Sequence, residues 1–151
     1  MCFDKQIAAR YACSIMVQFH TSPPSSNFCG HCCLAMLTNT PMVEVLQLVG
    51  HVRRTTTREL SGHLRTLGYV CGDRLTPHYG NMSRIPATCL VKAVPIVFTL
   101  SRYWHWLCRI DNVWYDPSLH GPGNYSVTLR VVSYLEVTRP PLARRKINAK
   151  T

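Results

Sequence analysis

The residues with the clearest chemical potential form the tetrapeptide Cys29-Gly30-His31-Cys32. It opens a nearly continuous apolar run, residues 28–37, which is typical of a buried helix. Three kinds of site use a cysteine in such a position: a dithiol redox centre, a zinc site, and a single thiolate activated at a helix N-terminus. The residues that could accompany the cysteines distinguish these three hypotheses.

The dithiol hypothesis is suggested by the sequence CGHC itself, which is the active-site tetrapeptide of protein disulfide isomerases. The pair Val94-Pro95 also resembles the cis-proline loop of a thioredoxin-like fold. Two spacings count against this hypothesis. A Pro- and Ser-rich loop separates Phe19 from Cys29, where a thioredoxin turns almost at once, and Pro95 lies farther from Cys29 than in thioredoxins. A thioredoxin-like dithiol–disulfide oxidoreductase therefore stays an alternative.

A structural zinc site needs four ligands, of which Cys29 and Cys32 could supply two. No second C-x2-C or H-x3–5-H pair follows them in the sequence. The other ligands would have to come from isolated residues such as His31, Cys71 or His78. A zinc-stabilised basic binding module is the second alternative.

A nucleophilic cysteine needs a base and a group that orients the base. Cys29 lies at a predicted helix N-terminus, where the helix dipole and the free N–H groups lower the pKa of a thiol. His105 is the candidate base, on a predicted strand whose alternation places it on one face with Leu107 and Arg109. Asp116 ends the next strand of the same predicted hairpin, and antiparallel pairing can bring it beside His105. These positions predict a Cys-His-Asp site.

In their order along the chain, these residues resemble the papain-like cysteine peptidases of the bacteriocin-processing, double-glycine-leader type. The resemblance spans about residues 17–134. Its pieces, in chain order, are Gln18, Cys29-Gly30 at a helix start, a helix that ends in Leu67-Gly68-Tyr69, His105-Trp106, and Tyr115-Asp116-Pro117.

The resemblance implies a papain-like α+β fold and a thiol hydrolase that cleaves a peptide or isopeptide bond in a protein or peptide substrate, without a cofactor. Cys29 would be the nucleophile, His105 the base, and Asp116 the group that orients His105. Gln18 would donate its side-chain amide to the oxyanion, with the backbone N–H of Cys29 as the second donor.

The sequence departs from this family at three positions around the nucleophile. Phe28 precedes Cys29 where an acidic residue is common, and His31 stands where proline is common. The spacing from Gln18 to Cys29 is longer than in the transporter-attached members. This last departure leaves Asn27 or a backbone group as alternative oxyanion donors.

The remaining patterns predict helices first and an antiparallel sheet afterwards, which is an α+β arrangement. Ser26 or Asn27 is the predicted N-cap of the first helix. The predicted helices cover residues 28–37, 41–49 and 58–67, a short helix lies within 87–94, and the predicted strands cover 13–19, 95–100, 104–110, 113–116 and part of 125–137.

Composition predicts one domain, residues 1–138, and a basic tail, residues 139–151. The net charge is +10, and the dense basic cluster in the tail is expected to contact nucleic acid weakly. The eight cysteines are expected to be mostly buried, reduced thiols. No signal peptide and no apolar run long enough for a membrane span are evident, so we expect a cytoplasmic protein without membrane contact. The sequence does not specify an oligomeric state.

Overall fold

Three α-helices precede an antiparallel β-sheet in the computed structural model of the protein, which describes residues 17–21, 27–96 and 104–140. This order confirms the predicted α+β class. The helices of this part of the chain are α1 (Cys29–Thr38), α2 (Met42–Val49) and α3 (Thr57–Thr66). Its strands are β1 (Val70–Cys71), β2 (Thr76–Pro77), β3 (Cys89–Pro95), β4 (His105–Ile110), β5 (Val113–Tyr115) and β6 (Leu129–Thr138).

Helix α1 is the central element of the fold. Its residues from Cys29 to Leu37 are all buried, and it packs against β4 on one side and against α2 and α3 on the others. The apolar run predicts this helix correctly, but the predicted N-cap is wrong. Phe28 occupies the cap position without a side-chain hydrogen bond, Asn27 does not cap the helix, and Ser26 lies outside the described residues.

Helices α2 and α3 lie within one residue of their predicted bounds and carry clear local stop and start signals. Pro41 directly precedes α2, and Gly50 ends it in the left-handed conformation with φ 73°. Thr56 and Glu59 form a capping box at the start of α3, in which each side chain accepts a hydrogen bond from the other residue's backbone N–H.

The described strands form one sheet in the order β1-β6-β3-β4-β5, with β2 also paired to β6, and all their pairings are antiparallel. Strands β4 and β5 form the predicted hairpin. Asp111 and Asn112 connect them with φ angles of 50° and 69°, the two positive values that a type I′ turn requires. The hairpin carries His105 at its beginning and leads into Asp116 at its end.

One prediction between residues 87 and 100 needs correction, and a second lies mostly outside the described residues. The short helix predicted within 87–94 is wrong, because Cys89–Pro95 forms β3, a central strand between β6 and β4. A continuous apolar run fits a buried strand as well as a buried helix, and here the sheet neighbours decide. The strand predicted over 95–100 overlaps β3 only at Pro95, and residues 97–100 lie outside the described residues.

At the chain ends, the predicted extended segment 13–19 is described from Val17 onward, where it has no regular secondary structure. Strand β6 ends at Thr138, the predicted last residue of the domain. Arg139 follows and lies 3.2 Å from the Asp111 carboxylate, and the predicted basic tail lies outside the described residues from 141 onward.

The sheet has a buried cluster on each face. The larger cluster contains α1 and the inward residues of α2 and α3, packed on Trp106, Cys108 and Ile110 of β4. The smaller one includes Leu107 and Val91, with Trp114 and Tyr125 packed against it. Cys29 belongs to the larger cluster, so the start of α1 is held directly on the sheet.

Among the described residues, no single helix combines the length and apolar character needed to cross a membrane. Helices α1 and α2 have the necessary length and apolar composition only when they are taken together, and the chain bends by 117° between them.

Candidate active site

The structure brings His105 and Asp116 together at the open end of the β4–β5 hairpin. His105 donates its Nε2–H to Oδ1 of Asp116 over 2.7 Å. The imidazole is 19% exposed, whereas the carboxylate is completely buried. The pairing leaves Nδ1 of His105 for a second partner.

The Asp116 carboxylate is fixed by three further hydrogen bonds. Its Oδ1 accepts from the backbone N–H of Ser118 at 2.9 Å and from the Ser118 hydroxyl at 2.6 Å, and its Oδ2 accepts from the backbone N–H of Ser126 at 2.8 Å. Burial alone would raise the pKa of Asp116. The hydrogen bonds from His105, Ser118 and Ser126 outweigh burial and hold this pKa below its ordinary value.

Cys29 is the first residue of α1 and is 5% exposed. Its Sγ accepts a hydrogen bond from the backbone N–H of Trp106 at 3.5 Å. Burial alone would raise the pKa of the thiol, but the hydrogen bond and charge of His105 lower it, as do the Trp106 N–H and the charge of Arg54. The pKa of Cys29 therefore lies below its ordinary value.

Burial also works against the charged form of His105, because it lowers the pKa of an imidazole. The hydrogen bond to Asp116 and the interaction with Cys29 outweigh it and raise the pKa of His105 to about 9. A thiol with a lowered pKa beside an imidazole with a raised pKa favours transfer of the thiol proton to the imidazole, which gives a thiolate–imidazolium pair.

Gly30 explains how α1 comes close enough to β4 for this contact. A Cβ at this position would collide with the Thr55 side chain and lie 3.1 Å from Cδ1 of Trp106. The same Trp106 donates its indole Nε1–H to the backbone carbonyl of Thr55 over 3.1 Å. The helix start, the 51–55 loop and β4 therefore pack on one another around Gly30.

His31 anchors the same loop from inside the core. It is completely buried and donates Nε2–H to the carbonyl of His51 over 2.9 Å. His51 in turn donates its own Nε2–H to Glu59 in α3 over 2.8 Å. The sequence offers His31 as a possible zinc ligand, and no spacing in the sequence indicates that it binds this loop.

The second cysteine of the CGHC motif has a different environment. Cys32 is 1% exposed, and burial raises its pKa to about 12. Both Cys29 and Cys32 are free thiols, as are all six cysteines in the described residues. The sheet also has no parallel strand pair within the described residues, whereas the βαβ unit of a thioredoxin-like fold requires one. These features favour one reactive thiol over a dithiol centre.

The ligand set of the zinc alternative does not assemble within the described residues. No group of three or more His, Cys, Asp or Glu side chains in that part of the chain is placed to hold a metal ion. Cys32 lies in the core, Cys71 lies in β1 near Ser61, and His78 follows β2 on another part of the sheet.

The fourth predicted site residue, Gln18, is exposed. Its neighbours Val17 and Phe19 pack against the larger cluster, and the Phe19 ring lies 6.4 Å from that of Tyr115. This contact brings the Gln18 segment beside the strand that leads to Asp116. No hydrogen bond described for this segment joins Gln18 to Cys29, so its role as an oxyanion donor stays a prediction.

A thiolate beside an imidazolium that is oriented by a carboxylate can attack a carbonyl carbon and then protonate the leaving group. Comparison with known proteins adds no family to this geometry: no family model matches the chain, and no curated protein is significantly similar to it in sequence.

Proposed function

We propose that this protein is a papain-like cysteine peptidase that cleaves a peptide or isopeptide bond through a thioester intermediate. The observation that carries the proposal is the position of His105, which contacts the buried Asp116 carboxylate through Nε2 and interacts with the Cys29 thiol. Helix α1 would thus contribute the nucleophile, and the β4–β5 hairpin, far from it in the sequence, would contribute the base and the orienting acid.

In the first half of the reaction, the Cys29 thiolate attacks the carbonyl carbon, and the C=O π electrons move onto the oxygen. The imidazolium of His105 then gives its Nδ1 proton to the leaving nitrogen while the C–N bond breaks. The amine departs, and the acyl group stays on Cys29 as a thioester. Asp116 keeps the ring aligned and stabilises its positive charge before the transfer.

In the second half, neutral His105 accepts a proton from water as the water oxygen attacks the thioester carbon. Collapse of the second tetrahedral intermediate breaks the C–S bond, and the acid product leaves. The Cys29 thiolate and the His105 imidazolium are restored. The net reaction consumes one water and converts an amide into a carboxylic acid and an amine.

The start of α1 offers a backbone N–H, that of Cys29, as the first oxyanion donor of this mechanism. The backbone N–H groups in the first turn of a helix have no partner within the helix, and Phe28 supplies no side-chain cap. The N–H of Cys29 is therefore suited to an oxyanion, and the helix dipole favours negative charge there. The resemblance to papain-like peptidases suggests Gln18 as the second donor.

The arrangement of elements also agrees with a papain-like fold. A central helix carries the nucleophile at its N-terminus, and this helix packs on an antiparallel sheet whose hairpin carries the histidine and the acid. The positive net charge of the chain is not needed for this chemistry, so weak nucleic-acid contact by the tail stays a separate prediction.

The test is intact-mass labelling of the native protein with limiting iodoacetamide, comparing the wild type with Cys29→Ala, Cys32→Ala and His105→Ala. We expect one fast-reacting thiol in the wild type and in Cys32→Ala, none in Cys29→Ala, and a much slower one in His105→Ala. A reversible Cys29–Cys32 disulfide, or labelling that begins only after chelation of a metal, would overturn the proposal.

Hydrolysis itself is tested by incubating a peptide library with the wild type and with Cys29→Ala and identifying new termini by mass spectrometry. Peptides cleaved only by the wild type would support a peptidase. A reactive Cys29 together with no cleavage of either peptides or isopeptide-linked substrates would contradict this reaction.

A further inference from the structure

One edge of β6 continues beyond the end of its partner β2. The pairing of β2 with β6 extends as far as the hydrogen bond from the His78 backbone N–H to the Val132 carbonyl, over 2.9 Å. The chain then bends at Gly80, which has a φ of 90°. Within the described residues, no strand pairs with this edge at residues 129–131, although β3 pairs with the other edge there. We call residues 129–131 the open edge.

The backbone of the open edge points partly away from β3. The Thr128 carbonyl accepts a hydrogen bond from the Ile96 N–H over 2.8 Å, so Thr128 faces β3. Backbone groups of successive residues in an antiparallel strand point to opposite sides, so those of Leu129 and Val131 face outward. No backbone hydrogen bond in the described part of the chain joins Val131 to a neighbour on the outward side. Such an edge pairs readily with the backbone of another extended chain.

A cavity of about 590 Å³ borders the open edge. The three residues of the open edge form part of its lining, and Tyr79, Met82 and Ile96 contribute large apolar side chains to it. Tyr79 is 90% exposed, and Met82 and Ile96 are exposed as well. Exposed apolar side chains grouped around a cavity are typical of an interaction site.

The side chains of the open edge differ between the two faces of the sheet. Val131 belongs to the smaller cluster and Leu129 packs against it, whereas strand alternation places Arg130 on the opposite face. Arg130 is exposed, and none of the described residues that line the cavity is acidic. A strand added at this edge would present alternate side chains to the two faces. Apolar side chains would therefore meet Leu129 and Val131, and acidic side chains would meet Arg130.

His78 adds a polar group to the lining of the cavity. Its Nε2 is buried and has no hydrogen-bond partner in the part of the chain that the structure describes. Buried polar atoms of folded proteins are nearly always hydrogen-bonded. A polar group of a bound chain would satisfy this nitrogen, so the cavity favours an occupant that is not purely apolar.

We propose that the open edge binds an extended peptide segment in which apolar and acidic residues alternate. The segment would pair its backbone with Leu129 and Val131 as an additional β-strand. The net charge of +10 favours an acidic partner over the basic tail of the chain itself. Cys29 belongs to the larger cluster on the other face of the sheet, so this inference does not depend on the proposed function.

The test is a titration of fluorescent, end-capped pentapeptides with Cys29→Ala, in which the proposed activity cannot cleave them. The acidic probes are Ile-Asp-Phe-Asp-Ile and Leu-Glu-Tyr-Glu-Leu, and the control probes carry lysine in place of both acidic residues. Fluorescence anisotropy should show saturable binding of the acidic probes. Binding of the lysine probes should be weaker by roughly tenfold or more, because like charges would then meet at Arg130.

Substitution of Arg130 tests the charge complementarity. Arg130→Gln should weaken binding of the acidic probes roughly two- to fivefold, the effect of one exposed ion pair. Arg130→Lys should retain most of the affinity, which separates loss of charge from loss of folding. Arg58→Gln is the matched control, because Arg58 is exposed on α3 and its substitution changes the net charge equally.

N-methylation of the probe tests the added strand itself. One version carries N-methyl groups on its second and fourth residues, and the other carries them on its third and fifth. Only alternate N–H groups of an added strand face β6, so one version should bind roughly tenfold more weakly and the other should keep its affinity. Hydrogen exchange of the Val131 amide, measured by NMR, should slow when the unmethylated probe is added.

Absence of binding by both acidic probes, equal binding of the lysine probes, or equal loss in both methylated versions would overturn this inference. Protection of the Val131 amide that rises with protein concentration in the absence of peptide would also overturn it, since the open edge would then pair with a second copy of the chain. None of these measurements depends on the reactivity of Cys29, so failure of this inference and failure of the proposed function are distinguishable.

Discussion

His105 Nε2 and Asp116 Oδ1 lie 2.7 Å apart although Asp116 lies just beyond the strand that pairs with β4. The type I′ turn between β4 and β5 sets the register that makes this contact possible. Because Ser118 and Ser126 hold both oxygens of Asp116, the carboxylate cannot rotate away from the imidazole. The ring of His105 is therefore fixed with its second nitrogen available to Cys29.

The first prediction concerns Asp116→Asn. The amide cannot balance the positive charge of His105, so the pKa of His105 should fall and the Cys29 thiolate should become less populated. We expect the iodoacetamide rate constant of Cys29 at pH 6.5 to fall at least tenfold, about the effect of one pKa unit. If the amide NH2 takes the place of Oδ2, it meets the Ser126 N–H as one donor against another, and that hydrogen bond is lost. The free energy of unfolding should therefore fall by about 1–3 kcal/mol.

The control for this substitution is Asp111→Asn, which removes the same charge at the exposed hairpin turn. It should leave the alkylation rate of Cys29 unchanged. An undiminished alkylation rate in Asp116→Asn, with urea unfolding confirming a folded protein, would show that the carboxylate does not control the reactivity of Cys29.

The second prediction concerns the pH dependence of Cys29 alkylation. In the wild type, His105 opposes the effect of burial and lowers the pKa of Cys29, so labelling should persist below pH 9.0, the ordinary pKa of a cysteine. In His105→Ala, burial is no longer opposed by the imidazolium, and the pKa of Cys29 should rise. The alkylation profile should therefore shift to higher pH, measured as rate constants from pH 5 to 10. A profile that does not move would mean that His105 and Cys29 are not coupled.

The elements that the sequence predicts well carry their signals locally. The Asp111-Asn112 turn, Pro41 before α2 and Gly50 after it each need only a few neighbouring residues to be recognised. Strand β3 has no such signal, because its apolar residues fit a helix or a strand until β4 and β6 are in place. The predicted N-cap of α1 is wrong, because Phe28 occupies the N-cap position and its side chain cannot accept a capping hydrogen bond.

The candidate site divides in the same way. Residue type, order and a predicted hairpin predict a site of Cys29, His105 and Asp116, and the structure brings these three together. His31 contacts His51, and Thr55 packs against Gly30, because the 51–55 loop crosses the start of α1. No spacing in the sequence encodes that crossing, so the roles of these residues depend on the tertiary structure.

The third prediction concerns Gly30→Ala. A glycine-to-alanine change inside a helix ordinarily stabilises it by up to about 1 kcal/mol. At position 30 the new methyl group would collide with the buried Thr55 side chain, so we expect the free energy of unfolding to fall by about 1–3 kcal/mol. The displacement of α1 from β4 should also slow Cys29 alkylation, measured together with urea unfolding.

Gly62→Ala in α3 is the matched control, because nothing lies within 4 Å of a Cβ at that position. It should stabilise the protein and leave the reactivity of Cys29 unchanged. The double variant Gly30→Ala/Thr55→Ala should recover part of both losses, since it removes the colliding side chain. Equal stabilisation by Gly30→Ala and Gly62→Ala would contradict the close packing at Gly30.

The fourth prediction concerns His31 and the acid side of the stability profile. Burial lowers the pKa of His31 most, the charges of His51 and His63 lower it further, and the hydrogen bond to the His51 carbonyl and the charge of Glu59 only partly oppose this. The folded protein therefore binds a proton at His31 less readily than the unfolded chain does. Above the ordinary pKa of 6.5 both states are neutral at this position, and as the pH falls below it the unfolded state is favoured.

The variant that tests this is His31→Gln, whose side-chain amide can still donate to the His51 carbonyl but does not titrate. We expect its free energy of unfolding to decline less than that of the wild type between pH 7.5 and pH 5, measured by urea unfolding. His120→Gln, at an exposed loop position, is the control and should follow the wild type. Parallel decline of the wild type and His31→Gln would mean that His31 accepts a proton in the folded core, and that its hydrogen bond to the 51–55 loop survives its charge.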